Sequence, residues 1–202
     1  MSEAEHLAGG LADPVFDAQS AFRAVMAAMA EPGTVHAPGR LAGPPAPLSA
    51  VAATILTTLC DADTPVWLDP ALAASEAVTA WIAFHAGSPV TANPVEAHFA
   101  FVTDPAAMPA FDGFGLGSHE YPDRSTTIVL QVAGFDGGEP LTLAGPGIET
   151  TRTFAPSPMP RNFTTQWAAN QARFPRGVDL VLAGPDAVAC LPRYTRLVPT
   201  ED

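Results

Sequence analysis

Thr126-Thr127-Ile128-Val129-Leu130-Gln131-Val132-Ala133 carries β-branched residues at five of its eight positions. Branching at Cβ fits a pleated, packed surface better than a helix, so 126–133 is predicted to be a strand. Toward the C-terminus, Leu141-Thr142-Leu143 and 150–154 read as two further strands around the Gly145-Pro146-Gly147 turn. A helix is expected over 161–173. Strands are expected over 178–182 (VDLVL) and 187–191 (AVACL), joined by Gly184-Pro185-Asp186.

Toward the N-terminus, 97–103 (AHFAFVT) and Val66-Trp67-Leu68 read as strands. Helix signals dominate before them. Asp13-Pro14 pairs a capping carboxylate with a proline at the first helical position, and Phe22, Val25, Met26 and Met29 share one helical face, with Arg23 off it. Glu31-Pro32-Gly33 ends that helix. Ser49 caps a second helix to about Leu59, with Val51, Ile55, Leu56 and Leu59 inward. Asp69-Pro70 opens a third, with Val78, Trp81, Ile82 and His85 at helical spacing and Gly87 closing it. Residues 104–124 form a Gly/Pro-containing excursion with no readable element. Early helices and late strands, still interspersed, imply an α/β fold: a mixed sheet covered by helices on one or both faces.

The 202 residues suit a single domain, 1–202, with 1–12 as a loose start. With 48% hydrophobic and 15% charged residues the composition is globular. No apolar run reaches the roughly 18 residues of a membrane span, and Met1 to Gly10 lacks a basic-then-apolar leader, so a cytoplasmic protein is expected. Cys60 and Cys190 lie in apolar segments and read as reduced core residues. The net charge of −12 repels nucleic acid and anionic lipid, so neither is an expected partner.

All nine basic residues are arginine. Without lysine there is no Schiff base, no pyridoxal-phosphate anchor, no Walker A lysine and no Ser–Lys dyad. No G-x-S-x-G occurs, and Ser118-His119 are too close in sequence to be read as a dyad. The histidines (His6, His36, His85, His98, His119) show no metal-ligand spacing, and His85 is expected to pack at a helix C-terminus. Gly113-Phe114-Gly115-Leu116-Gly117 lacks the strand before and the helix after that phosphate cradling requires. Asp61 and Asp63 could hold Mg²⁺ or transfer protons, but turn formation is the stronger reading. Arg23, Arg161, Arg173, Arg176 and Arg193 could fork onto a phosphonate, although structural ion pairs are the default. No catalytic constellation emerges, and no cofactor or metal is expected.

Seven stretches carry a resemblance: FDAQSAFRAVMAAMAEPG (16–33), LTTLCDADTPVWL (56–68), FHAGSPV (84–90), TTIVLQV (126–132), LAGPGI (143–148), FPRGVDLVL (174–182) and LPRYTRL (191–197). In this order they resemble the PhnH family, the H subunit of the bacterial carbon–phosphorus lyase core complex. The resemblance implies a three-layer mixed sheet with helices on both faces, similar to the large domain of pyridoxal-phosphate-dependent transferases but without the cofactor. It implies G, I and J subunits as partners, and pairing with itself in isolation. It also implies that the chain supports coupling of an alkylphosphonate to the ribose of ATP as a non-autonomous subunit. No catalytic residue carries over. Arg23, Asp61, Asp63, Arg176, Asp179 and Arg193 are polar residues in otherwise apolar matched stretches and stand as ligand or interface candidates. The competing readings are a stand-alone transferase or hydrolase, with Arg23, Arg176 and Asp61 first in line, and a nucleotide- or phosphonate-binding module without chemistry.

Overall fold

The computed structural model describes residues 7–199, so His6 lies outside it. Helix α1 spans Pro14–Ala30, and the Asp13 carboxylate accepts from Phe16 N–H (3.3 Å). Helix α2 spans Ala50–Leu59, with Ser49 Oγ accepting from Ala52 N–H. Each cap satisfies one of the N–H groups that a helix start leaves without a partner. The single helix expected from Asp69 is two: α3 (Pro70–Ala73) and α4 (Glu76–His85). Ser75 accepts from Val78 N–H and restarts the chain in a new direction, so the apolar spacing of Val78, Trp81 and Ile82 belongs to α4 alone. Gly87, at φ +68°, closes α4 by donating to Ile82 O.

The strands are β1 (Val66–Leu68), β2 (Phe99–Val102), β3 (Thr127–Gln131), β4 (Leu141–Ala144), β5 (Arg152–Phe154), β6 (Asp179–Ala183), β7 (Val188–Leu191) and β8 (Arg196–Leu197). β8 is too short to carry a readable alternation in the sequence. Strands β1-β2-β3-β6-β7 form one sheet, parallel except for the β6–β7 hairpin, and β5-β4-β8 form a small antiparallel sheet. The sheet is therefore mixed, as its run of helices and strands implied. Strand order rises monotonically, so no reversal opens a crevice at the carboxyl ends of the strands.

Alternation along each central strand divides the core. Phe101, Val129, Val181 and Cys190 face α1, α2 and α4. Ala100, Ile128, Leu130, Leu180 and Leu182 face the other layer. That layer holds helix α5 (Phe163–Gln171) together with the small sheet, so one face is all-helical and the other is part helix and part sheet. Both edges of the large sheet are covered. Val90 bridges β1 in parallel, and Gly33 and His36 bond to Cys190 and Val188 of β7.

Helix α1 departs from the sequence expectation. Its buried residues are Ala21, Ala24, Val25 and Ala28, which pack against α2 and β7. Phe22 and Met26, grouped with Val25 by spacing, are 47% and 51% exposed. Small residues let the helix approach closely, and the bulky ones face outward. The 104–124 excursion is a packed crossover: Phe111 and Phe114 are buried, and Gly115 N–H donates to Thr126 Oγ1. A Cβ at Gly115 would lie 2.7 Å from Val95 O, so close chain packing accounts for this glycine and no phosphate loop is formed. At the N-terminus, Leu7 O accepts from His85 Nε2 (2.9 Å) and Ala8 O from Trp81 Nε1 (3.0 Å), which holds Leu7 and Ala8 against α4.

Candidate functional site

The β6–β7 hairpin builds the most polar cluster in the fold. Its register sets Leu180 opposite Leu191, which carries Arg193 back beside Asp179 at the start of β6. Asp179 Oδ1 accepts from Arg193 N–H (2.7 Å) and Nε (3.1 Å), and Oδ2 accepts from Nε (3.2 Å) and Nη2. The remaining guanidinium donors reach Pro122 O (2.8 Å), Pro175 O (3.4 Å) and Ser125 Oγ (2.5 Å). The two side chains are only 12% and 19% exposed. The pair thus joins four chain segments: β6, the end of β7, the 122–125 loop and the 174–175 turn.

An open cleft of about 380 Å³ lies beside it, walled by Met29, Pro122, Phe174, Pro175, Pro192 and Tyr194. Of its ionisable side chains, Asp179, Arg193 and Tyr194 are bonded within the protein, and Asp123 is exposed. Asp179 and Arg193 saturate each other, and Tyr194 donates its hydroxyl to Met29 O (2.7 Å). Burial, then the charges of Asp179 and Cys190, raises the Tyr194 phenol above its ordinary range. Burial also pushes the Cys60 and Cys190 thiols well up, with Asp61 and Asp179 adding to it, so neither is a nucleophile near neutral pH. The walls are apolar, and the cleft lies at the amino ends of the parallel strands, opposite the end where open α/β sheets hold ligands.

At the carboxyl ends stands Asp69, fully buried and missed as more than a helix cap. It accepts from Leu72 N–H (3.0 Å), Thr103 N–H (2.7 Å), Thr103 Oγ1 (2.6 Å) and Asp104 N–H (3.2 Å). Three of these donors fall on Oδ2 and one on Oδ1, so the buried carboxylate is held by its own chain. The sequence contains the cap but not the crossover to β2 that supplies the other donors. Thr34 and His36 form a second unforeseen pair, Oγ1 to Nε2 at 2.7 Å. Thr34 Oγ1 also donates to Glu31 O at 2.6 Å; with its single proton directed there, the hydroxyl accepts from the imidazole Nε2.

The structure brings together two of the six candidates, Asp179 and Arg193. Arg176 lies three residues before Asp179, and its Nε is buried without a partner. Asp61 is an exposed turn residue. Its carboxylate accepts from Thr64 Oγ1 (2.7 Å) and Asp63 N–H (3.0 Å), and these bonds, the Thr64 hydroxyl first, hold it below the usual carboxylate range. Asp63 is exposed beside it, and Arg23 is exposed on α1. Ion pairing was the default for the arginines, but among the described residues only Arg173 and Arg193 form ion pairs. No group of three metal-ligating side chains exists among the described residues, and no helix there is long and apolar enough to cross a membrane.

Residues 9–198 match the family described as "Bacterial phosphonate metabolism protein (PhnH)". The chain is 50% identical over 196 residues to "Alpha-D-ribose 1-methylphosphonate 5-triphosphate synthase subunit PhnH" of Rhizobium meliloti (strain 1021), covering 97% of this chain and 98% of that one. It is 39% identical over 82 residues to "Putative C-P lyase subunit protein HtxG" of Stutzerimonas stutzeri, covering 41% and 42% respectively.

Proposed function

Because the chain belongs to the bacterial phosphonate metabolism (PhnH) family, we propose that it is a subunit of the carbon–phosphorus lyase system, supporting synthesis of α-D-ribose 1-methylphosphonate 5-triphosphate. The carrying observation is the 50% identity to an H subunit of that synthase over nearly the full length of both chains. The geometry agrees. The cleft's Asp179, Arg193 and Tyr194 are bonded within the protein, and the remaining ionisable residue of its wall, Asp123, is exposed, which supports a chain that contributes to a multi-subunit enzyme and is not self-sufficient.

The same reading covers finer points. The partners are the other subunits of the complex, of the G, I and J types, and the setting is the cytoplasm. The chain is one domain, since both core clusters share one sheet. The sheet serves as a scaffold of the kind found in pyridoxal-phosphate transferases, with no lysine to hold that cofactor. Asp179 and Arg193 clamp the fold, whereas Arg23, Asp61, Asp63 and Arg176 face partners. In isolation two copies pair through α1. Val15, Phe22 and Met26, at spacings of seven and four, form an exposed apolar stripe that continues through Met29 into the cleft.

Mixing the purified chain with the other subunits should give one co-eluting complex that consumes ATP and methylphosphonate, while the chain alone consumes neither. Separate peaks, or turnover by the lone chain, would refute the assignment.

A further inference from the structure

Charge is distributed unevenly along the chain. No arginine or lysine lies between Arg40 and Arg124, a stretch that contains α2, β1, α3, α4 and β2 and the histidines His85, His98 and His119. The exposed carboxylates Asp61, Asp63, Glu76, Glu96 and Asp104 all lie in it. Seven of the nine arginines lie from Arg124 to Arg196. The β1 end of the sheet is therefore anionic, with no arginine or lysine from its own stretch.

Within that region the segment 84–96 wraps the outer edge of β1. It exposes three large apolar side chains: Phe84 (64%), Val90 (48%) and Val95 (58%). Val66 N–H donates to Pro89 O and Thr91 N–H to Val66 O, both at 2.9 Å, so the N–H and C=O of Val90 itself point away from the sheet. Apolar side chains, an outward-facing peptide and a surrounding acidic rim make an incomplete surface.

We infer that this edge of β1 docks a partner subunit presenting a basic surface around an apolar anchor. Complementarity of charge selects the occupant. A second copy placed here about a two-fold axis would set two acidic rims against each other. A copy placed head-to-tail on this edge would build a ring or an open filament. A different, basic chain meets neither obstacle. The inference rests on the subunit reading above and adds the face and the chemistry of the partner.

The test measures binding of the full-length chain to the purified complex of the other subunits at low and at high salt. Phe84→Ala removes the most exposed of the three apolar side chains on this face, and Asp63→Arg reverses one rim charge at an exposed turn. Each is expected to weaken association about tenfold, the scale of a small interface hot spot. Asp63→Arg should also flatten the salt dependence. Melting temperature and self-association should stay at the wild-type values. If the wild-type chain binds and both variants bind equally well, the inference fails and the subunit reading stands. If the wild-type chain does not bind, both fail. Growth of the isolated chain into species larger than a dimer, suppressed by Asp63→Arg, would identify a second copy as the occupant and overturn the inference.

Discussion

Arg193 has the most connected side chain in the fold, and its value is conditional on Asp179. Both are largely removed from water, where an ion pair offsets its desolvation only if nearly every donor and acceptor is matched. Here they are matched: Asp179 takes the backbone N–H and two guanidinium nitrogens, and the rest of the fork reaches Pro122, Pro175 and Ser125. Removing the cation strands a carboxylate and two carbonyls at once. Arg193→Ala should therefore cost about 3–5 kcal/mol in denaturant unfolding. Arg193→Lys should recover less than half of that, since an ammonium cannot serve several acceptors in one plane. A loss under about 1 kcal/mol for Arg193→Ala would show that the clamp contributes little. Asn170 acts similarly on a smaller scale. It donates to Val178 O and accepts from Val178 N–H, both at 2.9 Å, and so ties α5 to the start of β6. Gly177, at φ +125°, leaves room for that amide, because a Cβ there would meet Asn170 Oδ1 at 2.7 Å.

Among the elements, α1 shows how one periodicity can be satisfied in two ways. The helix has a bulky apolar stripe and a small-residue stripe, and the fold buries the small one. Alanine loses little on burial in side-chain entropy and permits close approach to β7 and α2. The large side chains at Phe22 and Met26 remain available for association. Phe22→Glu combined with Met26→Glu should convert a self-associated chain to monomer in light scattering, because each carboxylate would be desolvated at a face-to-face contact. The melting temperature should change by no more than a few degrees, since neither side chain is in the core. A dimer that persists in the double variant would place self-association elsewhere, and a collapse of stability would show that the stripe packs within the chain.

For the whole molecule, three buried or half-buried acids set an alkaline limit to stability. Cys60 and Cys190 are raised from 9.0 and Tyr194 from 10.0, in each case chiefly by burial. The unfolded chain releases these protons at the ordinary values, whereas the folded chain retains them. The stability they contribute is fully present below about pH 9 and is lost as pH climbs through the raised folded values. Melting temperature should therefore be level from neutrality to about pH 9 and fall above it. Cys60→Ala with Cys190→Ala should lower stability at neutral pH through the cavities left, yet flatten the alkaline decline. A decline equally steep in the double variant would assign the effect to other groups.

Much of this was legible from the chain alone. Asp13, Ser49 and Asp69 cap helices as read, because a cap is a bond across three residues and depends on nothing distant. The strands around Val129 and Val181 follow from β-branched, apolar runs, and a mixed sheet follows from their order. Tertiary structure alone decided which face of α1 turns inward, because amphipathic spacing names two faces and only the neighbours choose between them. It also paired Asp179 with Arg193 through the hairpin register, and it supplied Asp69 with donors from the end of β2. Such contacts are fixed by how layers pack, and no local propensity encodes them.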